Sequence, residues 1–162
     1  MVYLDFDGML HPEGVYWSRR RGPHLGSPDR GHRLFEHAAL LDTLLEPYPG
    51  VGIVLSTTWV RQYRYGGAVK RLPDRRRARC IGATFHSQMN RHAFENLPRG
   101  QQVLEDVARR QPRAWLAVDD AREGWPPFAD ANVVLSDPTD GIAHPLVLDS
   151  LTRKLEQQFG RA

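Results

Sequence analysis

MVYLDFDGML, residues 1–10, sets the apolar run Val2–Leu4 ahead of two aspartates, Asp5 and Asp7, which flank Phe6 and precede Gly8. A short β-prone run without polar alternation is the pattern of a strand buried on both faces, as in a parallel sheet. Two carboxylates fixed where such a strand ends repel each other and lose solvation, a cost that a bound cation or a reaction offsets. Gly8 gives the chain the freedom to turn there, and an ordinary strand-to-turn pair is the alternative reading of the two aspartates taken alone.

Further along, VGIVL (51–55) and AWLAVDD (114–120) repeat the pattern, and ANVVLSD (131–137) supplies a fourth apolar run. ARCIGATF (78–85) is expected to be a short strand or a buried connection. Between these runs, residues 33–46 and 100–110 carry apolar side chains at helical spacing, as does 145–159. A further helix is expected after Thr58, broken at Gly66 and Gly67. Residues 11–31, dense in glycine and proline, predict an irregular flap, and the basic stretch 70–79 a solvated surface that includes Arg75, Arg76 and Arg77. Strands alternating with helices call for crossover connections, and so for a central parallel sheet covered on both faces.

The chain has 162 residues, enough for one domain with its own core, and the expectation is a single α/β domain over 1–162. The single cysteine, Cys80, excludes an internal disulfide framework and is read as a small buried thiol, with no disulfide-linked partner. No apolar stretch is long enough to span a bilayer, and the first residues lack the layout of a signal peptide, so a cytoplasmic protein without membrane contact is expected. The net charge of +3 rests on arginine far more than on lysine. That bias is read as compositional, without a polyanionic partner being inferred from it.

Three of the four apolar runs end in polar clusters: Asp5 and Asp7, Ser56 and Thr57, Asp119 and Asp120. Ligands of open α/β sheets bind at the carboxyl ends of the strands, where separated clusters of this kind meet. An all-oxygen set of crowded carboxylates suits a hard cation, magnesium before zinc or copper, and magnesium commonly shares its shell with a phosphate. Asp119 and Asp120, like Ser56 and Thr57, also have a plain reading as helix caps. His11, His24, His32 and His86 match no compact ligand spacing and are read as solvated or core residues.

With those residues in view, the chain resembles the haloacid dehalogenase (HAD) superfamily. DFDGML resembles its first motif, VGIVLST its second and AWLAVDD its fourth, in the family's order from Val2 to Asp120. The resemblance implies a HAD-like Rossmannoid three-layer sandwich and a magnesium-dependent phosphohydrolase. It implies Asp5 as the nucleophile that forms an aspartyl-phosphate and Asp7 as the general acid and base. Ser56, with Thr57 as fallback and Gly8 beside them, would bind the phosphoryl group. Asp119 and Asp120 would hold Mg2+ with Asp5 and the backbone carbonyl of Asp7. Arg99, in PRGQQVL (98–104), takes the place of the family's third motif, with Arg91 in reserve.

Within the superfamily, LDFDGMLHP, LSTTW, VDD and SDPTDGI resemble small bacterial HAD domains related to those of multidomain RNA-repair proteins, with Asp137 or Thr139 expected to line the site. The intervals leave room for a minimal cap or none, which suits a bulky phosphorylated substrate such as a nucleic-acid end. Tyr16 and Trp17 beside Arg19–Arg21 have the makings of a single-strand platform, set against a solvated flap with one packed aromatic. The alternative function is a catalytically weak nucleic-acid-binding or regulatory module that keeps the fold.

Overall fold

A computed structural model describes residues 1–26 and 31–160; residues 27–30 of the expected flap and the last two of the expected 1–162 domain lie outside the described residues. The chain runs β1 (Val2–Leu4), β2 (Val15–Ser18), β3 (Gly22–Leu25), α1 (Ala38–Leu45), β4 (Ile53–Leu55), α2 (Trp59–Val69), α3 (Asp74–Arg77) and β5 (Cys80–Ala83). It continues through α4 (Arg91–Glu95), α5 (Arg99–Arg110), β6 (Leu116–Asp119), a 3-10 turn (Pro127–Asn132), β7 (Val133–Leu135) and α6 (Pro145–Phe159). Five strands form one parallel sheet in the order β5-β4-β1-β6-β7.

The sheet sits between helical layers because successive strand residues point to opposite faces. Val2, Leu4, Ile53, Leu55, Leu116 and Val118 pack with Leu41 and Leu45 of α1 and Leu151 and Leu155 of α6. Tyr3, Val54 and Ala117 turn the other way, onto Val103 of α5. This is the three-layer α/β arrangement expected of a HAD-like fold. From β1 the chain builds outward through β4 and β5, then returns to the other side of β1 for β6 and β7. The strand order reverses at β1, which opens a crevice at the carboxyl ends of β4, β1 and β6.

Several elements differ from expectation. The flap is a β-hairpin, with Tyr16 opposite His24 and Trp17 opposite Pro23. Gly22, at φ 65°, closes its short turn, and Pro23 is tolerated because this two-stranded ribbon leaves edges unpaired. The helix expected over 33–46 starts only at Ala38, since Phe35 takes a left-handed φ of 61°. Its ring packs edge-on to Phe6, His11 and Trp59, with centroids 5.2, 4.9 and 5.4 Å away.

α2 passes through Gly66 and Gly67 and is interrupted at Arg64 instead; a helix accepts glycine at a cost of about 1 kcal/mol. Residues 78–85 contain the edge strand β5. The arginine run is not a solvated face throughout, because Arg76 is wholly buried in α3. Its Nε donates to Asp42 Oδ1 on α1 at 2.9 Å, and its guanidinium also bonds the Ala38 carbonyl. Cys80 is half-buried, and burial pushes its thiol up to about 11.

Candidate active site

Backbone hydrogen bonds extend the sheet one step past its strands and so fix the polar residues that follow. Asp5 N donates to Val118 O at 3.2 Å, Ser56 N to Leu4 O at 2.9 Å, and Ser136 N to Asp119 O at 3.0 Å. Asp5, Ser56 and Asp119 are consequently held side by side, each almost fully buried. One carboxylate oxygen from each of Asp5, Asp119 and Asp120 lies within 4.8 Å of the others.

Gly8 makes this approach possible. It sits at φ 65°, and a Cβ there would fall 2.7 Å from Asp120 Oδ2. Its carbonyl accepts the Ser136 hydroxyl at 2.6 Å, which ties the loop after β7 to the turn after β1.

Arg99 is the one cation that reaches into this cluster among the described ion pairs. Its guanidinium lies 3.3 Å from Asp5 Oδ2 and, through Nε, 3.5 Å from Asp119 Oδ2, and it also bonds the Ser56 carbonyl. It is placed by Pro98 and Gly100 at the head of α5. A Cβ on Gly100 would meet the Gly124 carbonyl at 2.4 Å, so the loop after β6 closes directly over that turn. Arg91 points instead to Glu95 on its own helix, at 2.8 Å.

One guanidinium does not balance three carboxylates. Burial pushes Asp5 up to about 6, with Arg99 acting against the rise and Asp120 and Asp7 adding to it. Burial, then Asp5, holds Asp119 well above the usual carboxylate range. Burial and a hydrogen bond shared with Glu13 push Asp120 up to about 6. Burial works against the Arg99 charge, but Asp5, Asp119, Asp120 and Asp7 outweigh it and raise its pKa.

Two buried atoms of the cluster make no hydrogen bond: Ser56 Oγ, and Asp119 Oδ2, which has only the Arg99 ion pair at 3.5 Å. Buried polar atoms are ordinarily satisfied. An orphaned carboxylate oxygen in an all-oxygen set fits a hard divalent cation, and an orphaned hydroxyl beside it fits an anion's oxygen.

Asp7 belongs to a different environment. Its side chain is about three-tenths exposed and stands outside the three-carboxylate group. Trp59 Nε1 donates to both of its oxygens, at 3.0 and 3.1 Å, and His11 Nε2 lies 3.0 Å from Oδ1. The Phe35 amide donates to His11 Nδ1 at 3.2 Å. That bond makes Nδ1 the acceptor, leaving the proton on Nε2, directed at Asp7.

Thr57 is engaged locally, its hydroxyl accepting the Trp59 amide at 3.4 Å. Asp137 caps its own turn by accepting the Thr139 and Asp140 amides, each at 2.9 Å. Asp137 is not among the residues gathered at the carboxylate cluster, and Thr139 lines a cavity together with Tyr16, Trp17 and His24 of the hairpin.

Sequence reasoning gave no functional place to His11, Trp59 or Glu13. The first two carried a signal in hindsight: His11 lies four residues after Asp7, and Trp59 directly follows the hydroxyl cluster. Glu13 carried none, because its relation to Asp120 exists only once the hairpin is folded.

The family model described as the HAD domain in Swiss Army Knife RNA repair proteins matches residues 1–147. No curated protein and no solved structure matches the chain.

Proposed function

Because the chain belongs to the family of HAD domains found in Swiss Army Knife RNA repair proteins, we propose that it is a magnesium-dependent phosphohydrolase working through an aspartyl-phosphate. The observation that carries this reading is the meeting of Asp5, Asp119 and Asp120 oxygens within 4.8 Å beside Arg99 and the unpartnered Ser56 hydroxyl. Asp5, Asp119 and Asp120, with the backbone carbonyl of Asp7, would hold magnesium, which when bound supplies charge neutralisation between the phosphoryl oxygens and the attacking carboxylate.

Asp5 Oδ1 is pinned by the Phe6 amide at 2.7 Å, and Arg99 steadies Oδ2. The Asp5 carboxylate attacks phosphorus, the bond from phosphorus to the leaving oxygen breaks, and Asp7 gives that oxygen its proton. Ser56 Oγ–H and Arg99 bind the phosphoryl oxygens as charge builds on them. In the second half Asp7 takes a proton from water, whose oxygen attacks the phosphoryl group, releasing phosphate and restoring Asp5. Trp59 and His11 hold the Asp7 carboxylate in one orientation through both halves. The access offered by a hairpin in place of a cap suits a bulky phosphate, a nucleic-acid end foremost.

Phosphate release from an aryl phosphate and from phosphorylated oligonucleotides tests the reading. Release is expected with magnesium, lost in EDTA and lost in Asp5→Asn. Full turnover by Asp5→Asn removes the assignment of the nucleophile. Salt-sensitive oligonucleotide binding that needs neither magnesium nor Asp5, without turnover, favours a binding module instead.

A further inference from the structure

Asp7 faces a second feature that the phosphoryl chemistry does not use. A cleft of about 100 Å³ opens beside its carboxylate, walled by Trp17 and Pro23 of the hairpin and by Trp59, Gln62 and Tyr63 of α2. Trp59 and Tyr63 stand 5.4 Å apart by ring centroid, and Arg71 lies over Tyr63 at 4.8 Å. Trp17 is 60% exposed, although Val15, its same-face neighbour on β2, packs on the core. The strand is therefore anchored while an indole is left bare at the mouth of the cleft. Arg19, Arg20 and Arg21 form the hairpin's exposed turn, and none has an ion-pair partner among the described residues.

We propose that this aromatic cleft is the leaving-group subsite, and that it takes the terminal base of a single-stranded polynucleotide whose end phosphate is removed. The inference rests on the reading of Asp7 as general acid. A group that protonates the leaving oxygen must stand on the leaving group's side of phosphorus, so whatever fills the cleft is joined to that oxygen. The exposed Trp17 indole, with the partly buried Tyr63 ring in the same cleft, favours a flat ring, which stacks on an aromatic face whatever its sequence. The Gln62 amide offers a donor and an acceptor to a ring edge. Three arginines a few residues from the indole, with no ion-pair partner among the described residues, favour a chain that continues as a polyanion. A paired duplex end keeps its base stacked on its neighbour, so the occupant is an unpaired terminus.

The test compares the full chain with Trp17→Ala, Trp17→Phe and a triple Arg19→Ala, Arg20→Ala, Arg21→Ala variant. Phe128→Ala, which removes an exposed aromatic residue on the 3-10 turn, serves as the control. Two readouts are taken: kcat/KM for a terminally phosphorylated single-stranded oligonucleotide against glycerol phosphate, a duplex of the same sequence and a phosphopeptide, and binding of the labelled oligonucleotide at low and moderate salt to the same variants in an Asp5→Asn background. Trp17→Ala is expected to cut the oligonucleotide preference and affinity about tenfold or more, with Trp17→Phe keeping most of both. The arginine variant is expected to flatten the salt dependence, and Phe128→Ala to change neither readout.

Unchanged preference and affinity in Trp17→Ala overturn the subsite while leaving the phosphohydrolase intact. If the wild type hydrolyses neither substrate, the catalytic reading fails on its own. Binding then decides: dependence on Trp17 keeps the cleft as a base site, and indifference overturns it. Preference for a phosphopeptide or for a duplex end also overturns it.

Discussion

Trp59 and His11 converge on one carboxylate, that of Asp7, and removing them separates orientation of the proposed general acid from everything else at the site. Trp59→Phe takes both indole hydrogen bonds from Asp7 while keeping an aromatic ring against Phe6 and Phe35. General acid catalysis is worth about 10²–10⁴-fold, and it matters most when the leaving oxygen is a poor leaving group. Trp59→Phe is therefore expected to slow an alkyl phosphate by on the order of tenfold or more and to spare an activated aryl phosphate; equal slowing of both would assign Trp59 to packing alone. The raised carboxyls give a second prediction at this scale. Folding holds Asp5 and Asp120 at about 6 against an ordinary 3.8, so it favours their protonated forms. Their contribution to stability is full below about pH 4 and is lost as pH rises through about 6. Bound magnesium favours the ionised forms, so the rise in Tm on adding it should be small at pH 5 and larger at pH 7.5. A rise independent of pH contradicts that account.

The elements were unevenly legible in the sequence, and the reasons are physical. Strands buried on both faces must be unbroken apolar runs, so β1, β4, β6 and β7 announced themselves, and α6 showed its apolar stripe over the residues it occupies. The hairpin did not, because it meets the core through Val15 and otherwise needs no apolar alternation. Arg76 was equally hidden: its partner Asp42 lies on a helix 34 residues earlier, and nothing local marks a buried arginine. That pair joins α1 to α3. Removing one member of a buried pair leaves the other uncompensated, at about 3–5 kcal/mol where both are fully buried. Asp42 is one-third exposed, which lowers the figure. Arg76→Ala is expected to lower Tm by roughly 5–10 °C, read by thermal denaturation, without changing KM for substrate. At the head of α5, Gly100→Ala drives a Cβ into the Gly124 backbone. It should displace Arg99 and reduce kcat more than it reduces Tm, whereas unchanged turnover would separate Arg99 from that turn.

Across the whole molecule, the sheet order places residues from four distant parts of the sequence in one crevice. Asp5, Ser56, Arg99 and the Asp119–Asp120 pair are adjacent only because β1 lies between β4 and β6 and α5 leads into β6. The polar ends of the strands were visible in the sequence, and so was their convergence once a parallel sheet was inferred. Which arginine enters the cluster was settled only by packing around Gly100, and the setting of Asp7 only by the aromatic cluster behind it. The proposed function requires that Asp5 in this crevice become an acyl phosphate. The most direct measurement is mass spectrometry of the peptide containing Asp5 after acid quench of the protein turning over substrate with magnesium. With an activated aryl phosphate, whose leaving oxygen needs no general acid, the phosphoryl adduct is predicted on Asp5 in the wild type, in greater amount in Asp7→Asn, where its hydrolysis is impaired, and nowhere in Asp5→Asn. Phosphate release with no adduct on that peptide, or sustained release by Asp5→Asn, would contradict it.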